Sequence, residues 1–158
     1  MLDATASRVY ARKGQQPEQP SQSGRKRVNL AGFAIPCRGV CKVYRIERGN
    51  ADSFIYLLER LAEYRAAQGL GRIVFVVDNA RWHHARIVKQ WLSEHPGIEI
   101  LYLSPYSPDF NPIERHWWYM RKHSTHMRLF ASHDECWETV NRHFTALTPD
   151  QVSLLCQL

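Results

Sequence analysis

The sequence predicts an α/β fold, a mixed sheet flanked by helices, from two observations. RIVFVV, residues 72–77, is an unbroken β-branched and aromatic run, the pattern of a strand covered on both faces. Short runs of this kind alternate with segments whose apolar residues recur at helical spacing. At 158 residues, a single domain large enough to bury a core is expected.

The elements follow in order. Residues 13–26, KGQQPEQPSQSGRK, lack large apolar groups and read as a loop. Arg27–Ile35 and Val40–Ile46 read as two strands around Pro36-Cys37-Arg38-Gly39, a hairpin-like pair. Cys37 and Cys41 have no second ligand pair at standard spacing, so zinc is not expected there. Asn50 to Gln68 reads as a helix, with Phe54, Leu57, Leu58 and Leu61 on one stripe and the Arg65 stem covering its end. Asn50 or Ser53 can cap its start and Gly69 suits its exit. After the 72–77 strand, Trp82 to His95 is helical and ends near Pro96-Gly97. Ile98–Leu103 is a second buried strand, and Ile113 to about His123 is helical. Ser132 and Glu135 have capping-box spacing ahead of a last amphipathic helix carrying Cys136, Trp137, Val140, Phe144 and Leu147. Residues 1–148 are taken as the domain and 149–158 as a C-terminal tail.

No apolar run approaches the length of a membrane span, and the polar N-terminus has no signal-peptide pattern. Four scattered cysteines do not make a disulfide scaffold and fit a reducing cytoplasm. Net charge is +6, with the basic excess almost wholly ahead of Gly49. That excess is either a solvated basic arm or a polyanion-binding face in which Arg12, Lys13, Arg25, Lys26 and Arg27 contact phosphates.

In mixed α/β sheets, sites gather at strand ends and the loops that follow. Asp78 follows the buried strand directly, where it is either a turn residue or a functional acid. Asn111 is an N-cap candidate, Pro112 suits the first helical position, and Glu114 falls at the third, the capping-box arrangement. A carboxylate pinned in this way is useful to a metal site, whose ligands need tight positioning. One helix and one strand separate Asp78 from Glu114, which returns the chain to the same end of the sheet. Two carboxylates converging there repel each other unless a cation lies between them. Oxygen-only ligation with open positions favours magnesium or manganese, and a pair of such ions can clamp both oxygens of an in-line phosphoryl displacement.

At these residues the chain resembles a known family. VVDNARWHH and LSPYSPDFNPIERHWW look like the DDE endonuclease domain of bacterial insertion-sequence transposases of the mariner superfamily, six-thirty group. The looser resemblance runs from Asp3 to about Phe144. It implies a ribonuclease-H-like fold and three metal-binding catalytic acids, the second matching Asp78 and the third Glu114. DATASRVYARKG, residues 3–14, lies where the family has its first acid, so Asp3 is the candidate, with Ala4 departing from the usual Glu. Only Met1 and Leu2 precede Asp3, so the first strand is expected to be truncated and the family's helix-turn-helix region missing.

The resemblance further implies two Mg²⁺ or Mn²⁺ ions, hydrolysis at a transposon end, and attack of the freed 3′-hydroxyl on target DNA. Its implied partners are transposon-end and target DNA and a second copy or an upstream reading-frame product, with no membrane. Its implied location is the bacterial cytoplasm, with the nucleoid. The alternative function is a catalytically incomplete fragment that binds DNA or full-length transposase. A structure-selective nuclease on the same fold fits PYSPDFNPIE less well.

Other residues carry two readings each. His83 and His84 are either hydrogen-bonded surface residues or groups that orient Asp78 or touch a phosphate, and Asn79 can position a ligand. Asn111 and Arg115 join them as candidates for ligand support or DNA contact. Trp117, Trp118 and Tyr119 fan too widely for all to be core, so one can stack on an unpaired base. Arg121 and Lys122 are either a solvated face or phosphate contacts. His123, His126, His133 and Cys136 fit no standard zinc spacing.

Overall fold

The structure, a computed structural model, describes Lys13 and residues 28–104, 111–126 and 128–157. Strands β1 (Asn29–Ile35) and β2 (Val40–Ile46) form an antiparallel ladder in which Ile35 pairs with Val40 and Asn29 with Ile46. A single 3-10 turn, Pro36–Arg38, joins them, and Gly39 closes it at φ 60°, the left-handed region that glycine occupies without a Cβ penalty. Helix α1 (Ala51–Ala67) begins at Asn50, whose side chain accepts from the Ser53 N–H at 2.9 Å. Its expected stripe of Phe54, Leu57, Leu58 and Leu61 is buried. Arg65 ends the stripe by donating from Nε to the Gly71 carbonyl at 2.6 Å.

Strand β3 (Ile73–Val77) and strand β4 (Ile98–Tyr102) pair in parallel, Val77 opposite Tyr102. The crossover between them carries helix α2 (Arg86–Glu94). Helix α3 (Pro112–Met120) runs into a π-helical turn, Arg121–Thr125. Helix α4 (His133–Ala146) and helix α5 (Pro149–Leu155) complete the chain. Ser132 caps α4, and Thr148 with Gln151 forms a reciprocal capping box on α5. The residues expected as a tail are therefore largely helical. Ser153 of α5 donates to the Pro36 carbonyl at 2.9 Å, which seats α5 on the β1–β2 turn.

The main core joins both ladders: Phe33 of β1, the α1 stripe, Val77, Val88 and Ile98 pack together. Helix α1 thus covers one face of β1 and of β3. A second cluster of Met120, Val140 and Phe144 packs α3 and α4 against Leu30, Cys41 and Val43 on the other face of the β1–β2 ladder.

Three expectations are corrected. The 72–77 strand is not covered on both faces among the described residues: Val74 is 53% and Leu101 54% exposed. The helix expected over Trp82–His95 is broken, because a 3-10 turn, Arg81–His84, ends at Ala85 with ψ 148° before α2 starts. The capping box at Asn111 and Glu114 does not close: Asn111 Oδ1 accepts from the Ile113 N–H at 3.4 Å, and no reciprocal bond from the Glu114 carboxylate forms. Glu114 still sits at the third helical position, with its carboxylate not committed to that cap.

Candidate active site

Asp78 leaves β3 at its C-terminal end, and Glu114 enters in the first turn of α3. Both line one cavity of about 630 Å³, together with Asn111, Trp82 and His83. Burial raises the Glu114 pKa above the usual carboxylate range, the Arg121 guanidinium opposes the rise, and the Asp78 charge adds to it. The two acids therefore share a field.

The loop after β3 holds Asp78 by several bonds. Its Oδ1 accepts from the Ala80 N–H at 3.0 Å. His83 Nδ1 lies 3.0 Å from the Asp78 carbonyl and 3.1 Å from Oδ1. Both of those oxygens are acceptors, so the imidazole proton sits on Nδ1. Burial lowers the His83 pKa and Asp78 opposes the shift, while the Phe54 ring packs 4.1 Å from the imidazole. Asn79 donates to the Leu103 carbonyl at the end of β4. That fixes its amide orientation, so Asn79 Oδ1 accepts from His84 Nε2, at 3.1 Å. His84 stacks on Tyr102 at 4.2 Å, and the Tyr102 hydroxyl donates to the His83 carbonyl at 3.1 Å. The sequence marks Phe54 only as part of a helix stripe and gives no site role to it or to Tyr102. Their role rests on contacts across many residues, with no local signal beyond an aromatic at a strand end and in a helix stripe.

The remaining predicted residues divide. Arg121 acts electrostatically on Glu114, whereas Arg115 acts on Cys156, just past α5. Lys122 Nζ sits 4.8 Å over the Trp118 ring. Trp117 is the core member of the aromatic trio, edge-on to Phe144 at 5.4 Å, and Trp118 is 60% exposed. Lys13 is exposed. Asp3, Arg12, Arg25, Lys26 and Arg27 lie outside the described residues, as does the expected truncated first strand. Among the described residues, no three His, Cys, Asp or Glu side chains converge as a metal site.

The cavity is lined by consecutive residues of β1, Leu30 to Ile35, and of β3, Ile73 to Val77. Successive side chains of a strand point to opposite faces. A cavity touching every residue therefore runs along the strand edges. Among the described residues, β1 pairs only with β2 and β3 only with β4.

Residues 1–136 match the family model of the DDE superfamily endonucleases. The chain belongs to that family. It is 33% identical over 106 residues to the insertion element IS630 uncharacterized 39 kDa protein of Shigella sonnei, across 66% of this chain and 30% of that one. The Mos1 transposase paired-end complex with left transposon end superposes with a TM-score of 0.74 at 23% identity, over 95% of this chain and 46% of that one. The Mos1 transposase catalytic domain, solved with raltegravir and Mn, superposes with a TM-score of 0.63 at 26% identity, over 80% of this chain and 67% of that one. This DDE-family chain thus has the fold of the Mos1 catalytic domain, ribonuclease-H-like as the family resemblance implied. It spans 30% of the insertion-element relative. No helix among the described residues is long and apolar enough to cross a membrane.

Proposed function

We propose that this chain is the catalytic domain of a DNA transposase, which hydrolyses a phosphodiester at a transposon end and transfers the strand to target DNA. The observation that carries the reading is the meeting of Asp78 and Glu114 at one cavity, each within the other's field. The donor set fits a hard divalent cation: two carboxylates, one of them uncommitted to its helix cap, with the Asp78 side chain 63% exposed. Magnesium or manganese, as a pair of ions, would be held by Asp78 and Glu114 with Asp3 as third ligand. Bound there, such ions polarise a phosphoryl oxygen and lower the pKa of a water.

The chain's own residues then have defined tasks. Asp78 and Glu114 hold the cations, and His83 and Asn79 hold Asp78 and its loop against β4. Arg121 neutralises charge beside Glu114. Asn111 fixes where α3 starts, and hence where Glu114 stands. Arg115, His84 and Lys122 are the further candidates for DNA contact, with Arg12, Lys13, Arg25, Lys26 and Arg27 forming the phosphate-binding arm. The facing edges of β1 and β3 support a strand between them, the place that the strand ending in Asp3 would take. A second copy or an upstream reading-frame product is the proposed partner, and the bacterial nucleoid in the cytoplasm is the proposed location.

The test is a nicking assay on supercoiled DNA in Mn²⁺, with Asp78→Asn and Glu114→Gln as controls. Nicking and joined products lost in both variants support the reading. DNA binding without nicking in the parent chain overturns it in favour of a binding module.

A further inference from the structure

Trp82 has no part in the chemistry above, yet it lines the Asp78–Glu114 cavity while remaining 42% exposed. Trp91 stacks on His95 at 3.8 Å, Trp117 packs on Phe144, and Trp118, 60% exposed, carries Lys122 Nζ over its ring and lies outside the cavity lining. Trp82 instead presents indole surface to solvent at the rim of the site. Its orientation is set from two sides. The imidazole of His83 meets it edge-on, at 5.9 Å and 83°. Gly49 lies beside the benzo edge of the indole, where a Cβ would fall 3.7 Å from it. Because His83 is itself tied to Asp78, indole and carboxylate are positioned as one unit. Arg81 precedes the tryptophan, Arg48 precedes Gly49, and both are exposed.

We propose that Trp82 is a positioning residue that stacks on an unpaired DNA base beside the phosphate that cations at Asp78 and Glu114 would engage. The proposal rests on the transposase reading and names how that site grips its strand. An aromatic face flanked by cationic side chains is the chemistry that holds single-stranded nucleic acid, and it tolerates any base because every base has a π-face. In-line displacement needs the backbone turned so that the attacking and leaving oxygens align. An unstacked base on a rigid indole fixes that turn.

The experiment measures binding of the full chain to a forked duplex in EDTA, with the single-stranded arm either intact or abasic. Metal is absent, so the result is independent of whether Mn²⁺-dependent nicking succeeds. Trp82→Ala is expected to weaken binding of the intact fork roughly tenfold, within the range of one lost base stack. The abasic arm should weaken the parent chain similarly but cost Trp82→Ala nothing further, the coupling expected of two groups in contact. Trp82→Phe should recover most of the loss and so exclude misfolding. Equal binding by Trp82→Ala, or penalties that multiply independently, would overturn the proposal.

Discussion

His83 and Asp78 are joined at two atoms: His83 Nδ1 lies 3.0 Å from the Asp78 carbonyl and 3.1 Å from its Oδ1. The imidazole is backed by Phe54, so this pairing fixes the carboxylate's direction from the protein side. Removing a residue that orients a metal ligand costs about 10–100-fold in metal affinity. His83→Ala should therefore weaken Mn²⁺ binding by about that factor. His83→Asn, which keeps a donor, should lose less. Isothermal titration of both variants with Mn²⁺ checks the prediction, and equal losses would reduce His83 to packing.

The three depressed histidines make stability fall on the acid side. Burial lowers His83, His143 and most strongly His116, from 6.5 to about 4. His116 is fully buried, with Nε2 3.3 Å from Cys156 Sγ. The unfolded chain binds the proton more readily than the folded one, so stability is present above pH 6.5. It is lost as pH falls from 6.5 toward about 4. The full penalty from His116 is about 3 kcal/mol. Urea denaturation across this window should show that slope, and His116→Gln should flatten it.

Gly39 and Gly69, both left-handed, should differ in their cost to alanine. Gly39 is at φ 60°, and a Cβ there would meet the Pro149 backbone at 2.5 Å. Gly69 is at φ 59° with nothing within 4 Å. Gly69→Ala should cost about 1–2 kcal/mol, the left-handed penalty alone. Gly39→Ala should exceed it, because α5 must also move. Comparison of the two denaturation midpoints decides this.

The exposure of Val74 and Leu101 on β3 and β4 predicts a contrast in the apolar residues. Leu58→Ala, at a site with no exposure, should cost about 2–5 kcal/mol. Leu101→Ala, at 54% exposure, should stay within about 1 kcal/mol, as for a surface change. A large loss at Leu101 would mean that this face is covered in solution.

Local pattern made much of this legible. The α1 stripe, its Asn50 cap and the β1–β2 turn are read from neighbouring residues, because helix phase and capping depend on spacings of a few positions. Asp78 at a strand end and Glu114 three residues after Asn111 are of the same kind. The break at Ala85 was hidden, because Trp82, Ala85 and Val88 keep a helix-like spacing across it and hydrophobic spacing does not register one extended dihedral. Which of Trp117 and Trp118 faces inward depends on α4, which follows both in the chain. The bonds joining Asn79 to Leu103 and His116 to Cys156 close over 24 and 40 residues, and no local rule foresees them.

The central claim is that Asp78 and Glu114 hold a divalent cation. It is tested most directly by thermal melts of the chain with and without millimolar Mn²⁺, beside Asp78→Asn. At about 100 times its dissociation constant, one ion adds roughly 2.7 kcal/mol, or about 5–10 °C at this size. The account predicts that rise in the parent chain and its loss in Asp78→Asn. An unchanged melt in the parent, or the same rise retained in the variant, would contradict it.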